Sequence, residues 1–203
     1  MTAGLLLAAG ESTRMGQSKP LLDWGGEPLV VYQVRQLLDA GLERVVVVLG
    51  DKAESVAAAL ARMASPRLQT VTNEDYAQGK VGSVLRGLEA LTAGDGPFLV
   101  LSVDQPRPAS LLRSVLDAHN AGGALITAPR YQGRGGHPTI FSGALYDEML
   151  AIEEATLGLR AVVQRHRGEV LHLDLEERAV TLDINDETAY AAALARTLRL
   201  DVS

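Results

Sequence analysis

Two short runs near the start of the chain, AGLLLAA at 3–9 and RVVVVL at 44–49, are almost wholly apolar. Unbroken runs of that length are the pattern of strands covered on both faces, as parallel core strands are. Between them, PLVVYQVRQLLDAG (28–41) carries apolar residues at helical spacing, with Pro28 suited to a first turn and Gly41 to a C-terminal cap. A strand-helix-strand unit is the prediction, and the alternation continues. A helix is expected over 51–63, where Asp51 and Glu54 have capping-box spacing and Ser65-Pro66 marks the end. Then follow a strand at 68–73, a helix from about 81 to 93, a GDGP turn at 94–97 and a strand, FLVLSV, at 98–103. Pro106 and Pro108 open a helix at 108–121, and ALITAP at 124–129 is the next strand.

Farther on the pattern loosens. YQGRGG (131–136) reads as a loop, HPTIF (137–141) as a short strand, and 143–152 and 157–167 as helical. EVLHLDL (169–175) and AVTLDI (179–184) alternate like half-exposed strands, and 186–200 closes as a helix. The predicted class is α/β, a three-layer sandwich around a mostly parallel sheet. The last third is expected to add one antiparallel strand or a small lobe over the carboxyl edge of the sheet, where such folds bind ligands.

Composition narrows the possibilities. The 203 residues, 47% hydrophobic, suffice for one sizeable core, so a single domain spanning 1–203 is expected. The apolar runs fall far short of the roughly 20 residues of a membrane span, and no basic, apolar, cleavable leader opens the chain. A cytoplasmic protein without a membrane partner is the expectation. The absence of cysteine excludes a disulfide framework, a thiolate metal site and a cysteine nucleophile. A formal net charge of −6 argues against a nucleic-acid partner, so any anionic ligand must be gripped locally.

The stretch LLLAAGESTRMGQSKPLL (5–22) offers such a grip. Gly10, Ser12, Arg14, Gly16 and Lys19 bring close backbone approach, a hydroxyl and two cations to the end of the first strand, as a triphosphate requires. An ordinary strand-to-helix loop remains the alternative. The spacing is not that of a Walker A loop, and G-x-G-x-x-G occurs nowhere in the chain.

LAAGESTRMGQSKPLL resembles the signature of the MobA-like nucleotidyltransferases, L-x-x-G-x-S-x-R-M-G-x-x-K-x-L-L, at every fixed position. The two alanines before the glycine are more similar to the molybdenum cofactor cytidylyltransferase branch than to the guanylyltransferase branch. The resemblance implies a Rossmann-like fold of the nucleotide-diphospho-sugar transferase type. It implies that Gly10, Ser12, Arg14 and Lys19 grip a triphosphate, CTP by preference, and that Leu7, Ala8 and Ala9 border its base.

Other segments extend the likeness. Asp104-Gln105-Pro106 closes a core strand and resembles the branch's metal motif, which makes Asp104 a ligand of Mg²⁺; a helix cap is the alternative. Asp183-Ile184-Asn185 resembles the family's closing element, so Asn185 is the second metal contact, with Asp183 as substitute and Asp186 as a helix cap. NEDYAQGKVGSVLRGL (73–88) is similar to the base-and-ribose segment, with Gly79 and Ser83 at matching positions and Tyr76 where Trp is commoner. Lys80 and Gly82 replace small or hydroxyl residues; Lys80 is read as a solvated lysine, with an added phosphate contact as the alternative. GGHPTIF matches the branch's Gly-His-Pro, and the resemblance implies that His137 lines the acceptor pocket, a loop histidine fixed by Pro138 being the alternative, whereas His119, His166 and His172 read as structural or solvated. One departure stands out: Ala155-Thr156-Leu157-Gly158-Leu159-Arg160 lacks the acidic residue of the family's G-D-x-G-A-R.

The implied reaction is attack by an acceptor phosphate on the α-phosphorus of the nucleotide, with loss of pyrophosphate. Arg14, Lys19 and Asp104 would be its catalytic residues, with Mg²⁺ as cofactor and molybdopterin as acceptor. A molybdenum hydroxylase could receive the product. A sugar phosphate or other small phosphate acceptor, or a non-catalytic nucleotide-binding maturation factor, are the alternatives.

Overall fold

The computed structural model describes residues 2–11, 16–91 and 96–200. Strand β1 (Ala3–Ala8) is buried at all six positions and lies parallel between β2 (Arg44–Leu49) and β4 (Phe98–Ser102), Leu5 facing Val46 on one side and Val100 on the other. β3 (Leu68–Thr72) extends this parallel set beyond β2 as a half-exposed edge.

On the other side the chain reverses. β5 (Ile126–Tyr131) turns at Gln132 and Gly133, both at positive φ, and returns as β6 (Arg134–Gly135) and then β7 (Thr139–Phe141). β7 inserts antiparallel between β4 and β5, and β8 (Val170–Asp174) covers the outer edge of β5 in parallel. The eight-stranded sheet is thus mostly parallel with an antiparallel insertion, the three-layer α/β class expected from the pattern.

Helices pack on both faces. α1 (Leu29–Asp39), α2 (Ala53–Ala61), α4 (Ala109–Gly122) and α7 (Glu187–Leu200) cover the face to which Leu6, Val45, Val47 and Leu101 point. α3 (Lys80–Ala90), α5 (Tyr146–Leu150) and α6 (Leu159–Arg165) cover the face of Leu5, Val46, Val48 and Val100. Each Leu or Val so buried contributes about 1.5–3 kcal/mol, which is why unbroken apolar runs end up in the middle of the sheet. No helix among the described residues is long and apolar enough to cross a membrane.

Several sequence expectations are corrected. AVTLDI is not a strand: Arg178–Thr181 form a 3₁₀ turn that buries the adjacent pair Ala179 and Val180, and β8 already occupies the outer edge of β5. The expected loop at 131–136 is a two-residue hairpin turn, because Gln132 accepts the left-handed conformation beside Gly133. The expected capping box at 51–54 does not form, since Lys52 precedes α2 at φ 53° and the Asp51 N–H donates to the Ala9 carbonyl. Asp186 does cap α7, its Oδ1 accepting the Ala189 N–H at 2.8 Å.

Candidate functional site

The carboxyl ends of β1, β2 and β4 open on one edge, and the turn after β4 is pinned there from below. Gln33, wholly buried in the apolar stripe of α1, donates from Nε2 to the carbonyls of Ser102 (3.3 Å) and Val103 (3.0 Å). The Val103 N–H donates to Leu7 at 2.9 Å, and Gln105 folds back so that its Oε1 accepts the Ser102 N–H. These bonds place Asp104 at the mouth, beside the segment that follows β1. A polar residue at a core position of α1 was the signal by which Gln33 could have been found; the sequence reading missed it.

Two cavities open along this edge. The first, about 340 Å³, is lined by Leu7, Ala9 and Gly10 after β1, by Tyr76, Gly79 and Ser83 at the start of α3, and by Lys19 and Asp104. Lys19 Nζ lies 3.2 Å from Asp104 Oδ2, both side chains being largely shielded. Ala8 points the other way, into the core under α1, because consecutive strand residues face opposite sides. Ser83 is buried and accepts a bond from Asn73 Nδ2 at 3.0 Å, tying the end of β3 to α3. Ser12 and Arg14 lie outside the described residues. Glu11, Ser102 and Val103 also line this cavity and were not assigned to it by sequence, and so does Lys80, for which a phosphate contact was the alternative to a solvated side chain.

The second cavity, about 400 Å³, is walled by apolar groups such as Phe141, Leu159 and Val163 and carries His137, Gln105 and Arg160 as polar features. Its charged lining residues among those described are Lys80 and Arg160, both cations. His137 is half-buried, and its pKa is lowered to about 4 by burial first, then by the charges of Arg107 and Lys80. Its imidazole is therefore neutral near pH 7. Lys80 and Ser102 line both cavities, which consequently meet at that pair.

A buried arginine holds the far wall. Arg107, with no exposed surface, donates from Nε to the His137 carbonyl (3.0 Å), from Nη1 to Pro106 (3.0 Å) and Leu182 (2.8 Å), and from Nη2 to Val180 (3.1 Å). Burial lowers its pKa to about 10, against the pull of Asp183, Asp104 and Glu177, so it stays a cation. The Val180 carbonyl also receives the His137 N–H at 3.0 Å, and a Cβ on Gly136 would lie 2.1 Å from that same oxygen. The Ile184 N–H then donates to the Asp104 carbonyl at 2.8 Å, which brings the 183–185 segment beside Asp104. Asp183 is near enough to raise the pKa of His137 and Arg107, but it and Asn185 are both exposed and line neither cavity.

Of the remaining histidines, His119 is buried against Thr127 (2.9 Å), His166 bridges Glu148 and Glu169, and His172 is exposed on β8. The segment without an acid at Thr156 carries one two residues earlier. Glu154 Oε2 accepts the Val81 N–H at 2.8 Å, setting a carboxylate on the first turn of α3. No cluster of three or more His, Asp or Glu close enough to hold a metal occurs among the described residues. Asp104, Asp183 and Asn185 carry the kind of oxygen donor that a hard cation takes when it keeps water and phosphate in most of its shell.

A glycine-bearing loop and a lysine-carboxylate pair at the carboxyl edge of a mostly parallel sheet define a nucleotide-handling α/β protein. Residues 4–170 match the model of the MobA-like NTP transferase domain, and the chain belongs to that nucleotidyltransferase family. It is 35% identical over 142 residues to the bifunctional protein GlmU of Anaeromyxobacter sp. (strain K), in a match covering 65% of this chain but only 29% of that protein. It is 25% identical over 199 residues to the molybdenum cofactor cytidylyltransferase of Escherichia coli, covering 95% of each. To the nicotine blue oxidoreductase of Paenarthrobacter nicotinovorans it is 29% identical over 190 residues, covering 90% of this chain and 91% of the other. The crystal structure of Rv0371c from Mycobacterium tuberculosis superposes with a TM-score of 0.81 at 26% identity, covering 96% and 97% of the two chains. That protein is also known as a complex with manganese.

Proposed function

We propose that this protein transfers CMP from CTP to the terminal phosphate of molybdopterin, releasing pyrophosphate. The observation that carries the reading is the pair of cavities meeting at Ser102 and Lys80, one bordered by the Lys19–Asp104 pair, the other with only cations as charged lining among the described residues. The first suits a triphosphate; the second suits a phosphorylated acceptor with a flat polar body, which Gln105, His137 and Gln164 could address. Family membership and the full-length likeness to a cytidylyltransferase favour this pairing of substrates.

An oxygen of the acceptor phosphate bonds to the α-phosphorus while the bond to the β-phosphate oxygen breaks and its electron pair leaves with pyrophosphate. A phosphate dianion needs no general base, so the neutral His137 positions rather than abstracts. Lys19, with Arg14 from the loop, would neutralise charge on the leaving group. Asp104 with Asn185 or Asp183 would hold a divalent cation, Mg²⁺ in this reading, which supplies charge neutralisation on the phosphates; the manganese complex of Rv0371c supports divalent-metal use. A cytoplasmic site of action and delivery to a molybdenum hydroxylase accord with the reading.

The test is pyrophosphate release by the purified chain with Mg²⁺ and CTP, GTP or ATP, each with and without molybdopterin. Release with CTP only when molybdopterin is present is the expected result. Activity confined to a sugar phosphate overturns the acceptor, and nucleotide binding without turnover on any acceptor overturns the enzyme. The likeness to a protein named as an oxidoreductase favours a second reading, in which the chain carries out a redox reaction and no pyrophosphate appears.

A further inference from the structure

The start of α3 is built unusually tightly for a helix opening onto solvent. Gly79 has φ 135°, a region open to glycine, and a Cβ there would lie 2.6 Å from Glu154 Cδ. Glu154 therefore packs on Gly79 while bonding the Val81 N–H, and the residue between them, Lys80, has its backbone held from a separate segment of the chain. From that anchored position its stem runs exposed and its ammonium turns inward, 2.7 Å from Ser102 Oγ.

The charges on the two lysines of the site are disposed differently. Lys19 faces the Asp104 carboxylate. Lys80 has only a neutral hydroxyl as hydrogen-bond partner among the described residues, and no carboxylate within ion-pair distance. Its charge is felt across the second cavity, where it opposes protonation of His137. An ammonium has three donors; with one on Ser102, two remain, and Lys80 lines both cavities.

We propose that Lys80 is a catalytic residue, bridging the attacking phosphate oxygen in the second cavity and the α-phosphate in the first. The proposal rests on the nucleotidyl-transfer reading and goes beyond it by naming the group at the reacting centre. Attack brings one anion onto another, and a cation between them offsets the repulsion and fixes the line of approach. The bond formed joins the acceptor oxygen to the α-phosphorus, the bond broken is to the β-phosphate oxygen, and no proton moves through Lys80. Ser102 sets the height of the ammonium, and Glu154 sets the position of its backbone.

The experiment compares the full-length wild type with Lys80→Met, Lys80→Ala and Lys80→Arg in pyrophosphate release with saturating CTP, Mg²⁺ and acceptor, alongside CTP binding by calorimetry and thermal melting. The expected result is a loss of turnover of roughly 10²-fold or more in Lys80→Met, the scale for one preorganised donor. CTP affinity should stay within about threefold, a small change on the affinity scale. Lys80→Arg should regain part of the rate, and added ethylammonium should raise the rate of Lys80→Ala, since the exposed stem leaves an open path to the site. An active wild type with Lys80→Met at near-normal turnover overturns the role of Lys80 alone. So does a defect confined to CTP affinity, or an unrescued loss that tracks a lowered melting temperature. A wild type that releases no pyrophosphate with any acceptor overturns the nucleotidyl-transfer reading and Lys80's role with it.

Discussion

Replacing Arg107 by Met should destabilise the protein more than any exposed substitution, because the arginine joins segments distant in sequence. The side chain has no exposed surface and donates to four carbonyls, on Pro106, His137, Val180 and Leu182. Val180 keeps a partner in the His137 N–H, and Pro106 is adjacent in sequence and can adjust. That leaves the His137 and Leu182 carbonyls orphaned, at about 1–3 kcal/mol each, for a loss of roughly 2–6 kcal/mol. Relief of the desolvation that pulls the arginine to about 10 acts in the opposite sense and favours the lower half of that range. Urea unfolding followed by circular dichroism is the assay. At a slope of about 2 kcal/mol/M, the midpoint should fall by roughly 1–2 M. Cleavage by a low dose of protease should concentrate near 177–183, and CTP affinity in the presence of Mg²⁺ should drop as Asp183 and Asn185 lose their hold beside Asp104. A midpoint within about 0.3 M of wild type would refute the claim that Arg107 pins this wall.

Other perturbations probe separate links. Lys19→Ala should lower turnover by roughly 10²-fold with an unchanged melting temperature, and near-normal turnover would remove Lys19 from the leaving-group site. Gly50→Ala would place a Cβ 2.5 Å from the Ala9 carbonyl and 2.8 Å from Tyr76 Cβ, so a stability loss of about 1–3 kcal/mol and weaker CTP binding are expected from melting and calorimetry. His166 has its pKa raised by the hydrogen bonds it donates to Glu148 and Glu169, and burial of Glu148 is outweighed by bonds from His166 and Arg165, which lower its pKa. Stability from the histidine is present below its unfolded value of about 6.5 and lost as pH rises through the folded one, whereas that from the glutamate is lost toward acid. The gap in melting temperature between wild type and His166→Gln should therefore be widest near pH 5 to 6 and narrow by pH 8; a pH-independent gap would contradict the bridge.

What local pattern determined here was whatever depends on neighbours in sequence. Unbroken apolar runs identified the central strands, since burial on both faces leaves no polar position in them, and the contiguous signature at 5–22 identified the family. The sequence also put Lys19 and Asp104 in one site, and the structure brings the two side chains to 3.2 Å. It misread AVTLDI as a strand, because alternation says nothing about whether a sheet edge is free, and β8 had already taken that edge. It read Lys80 as a solvated lysine and Thr156 as a lost acid. The ammonium direction, the Glu154 carboxylate that anchors α3, and the buried Arg107 that holds the far wall all depend on contacts spanning 22 to 75 positions. Such contacts exist only once the sheet order is set, and so tertiary structure alone decided which charges meet at the mouth of the two cavities.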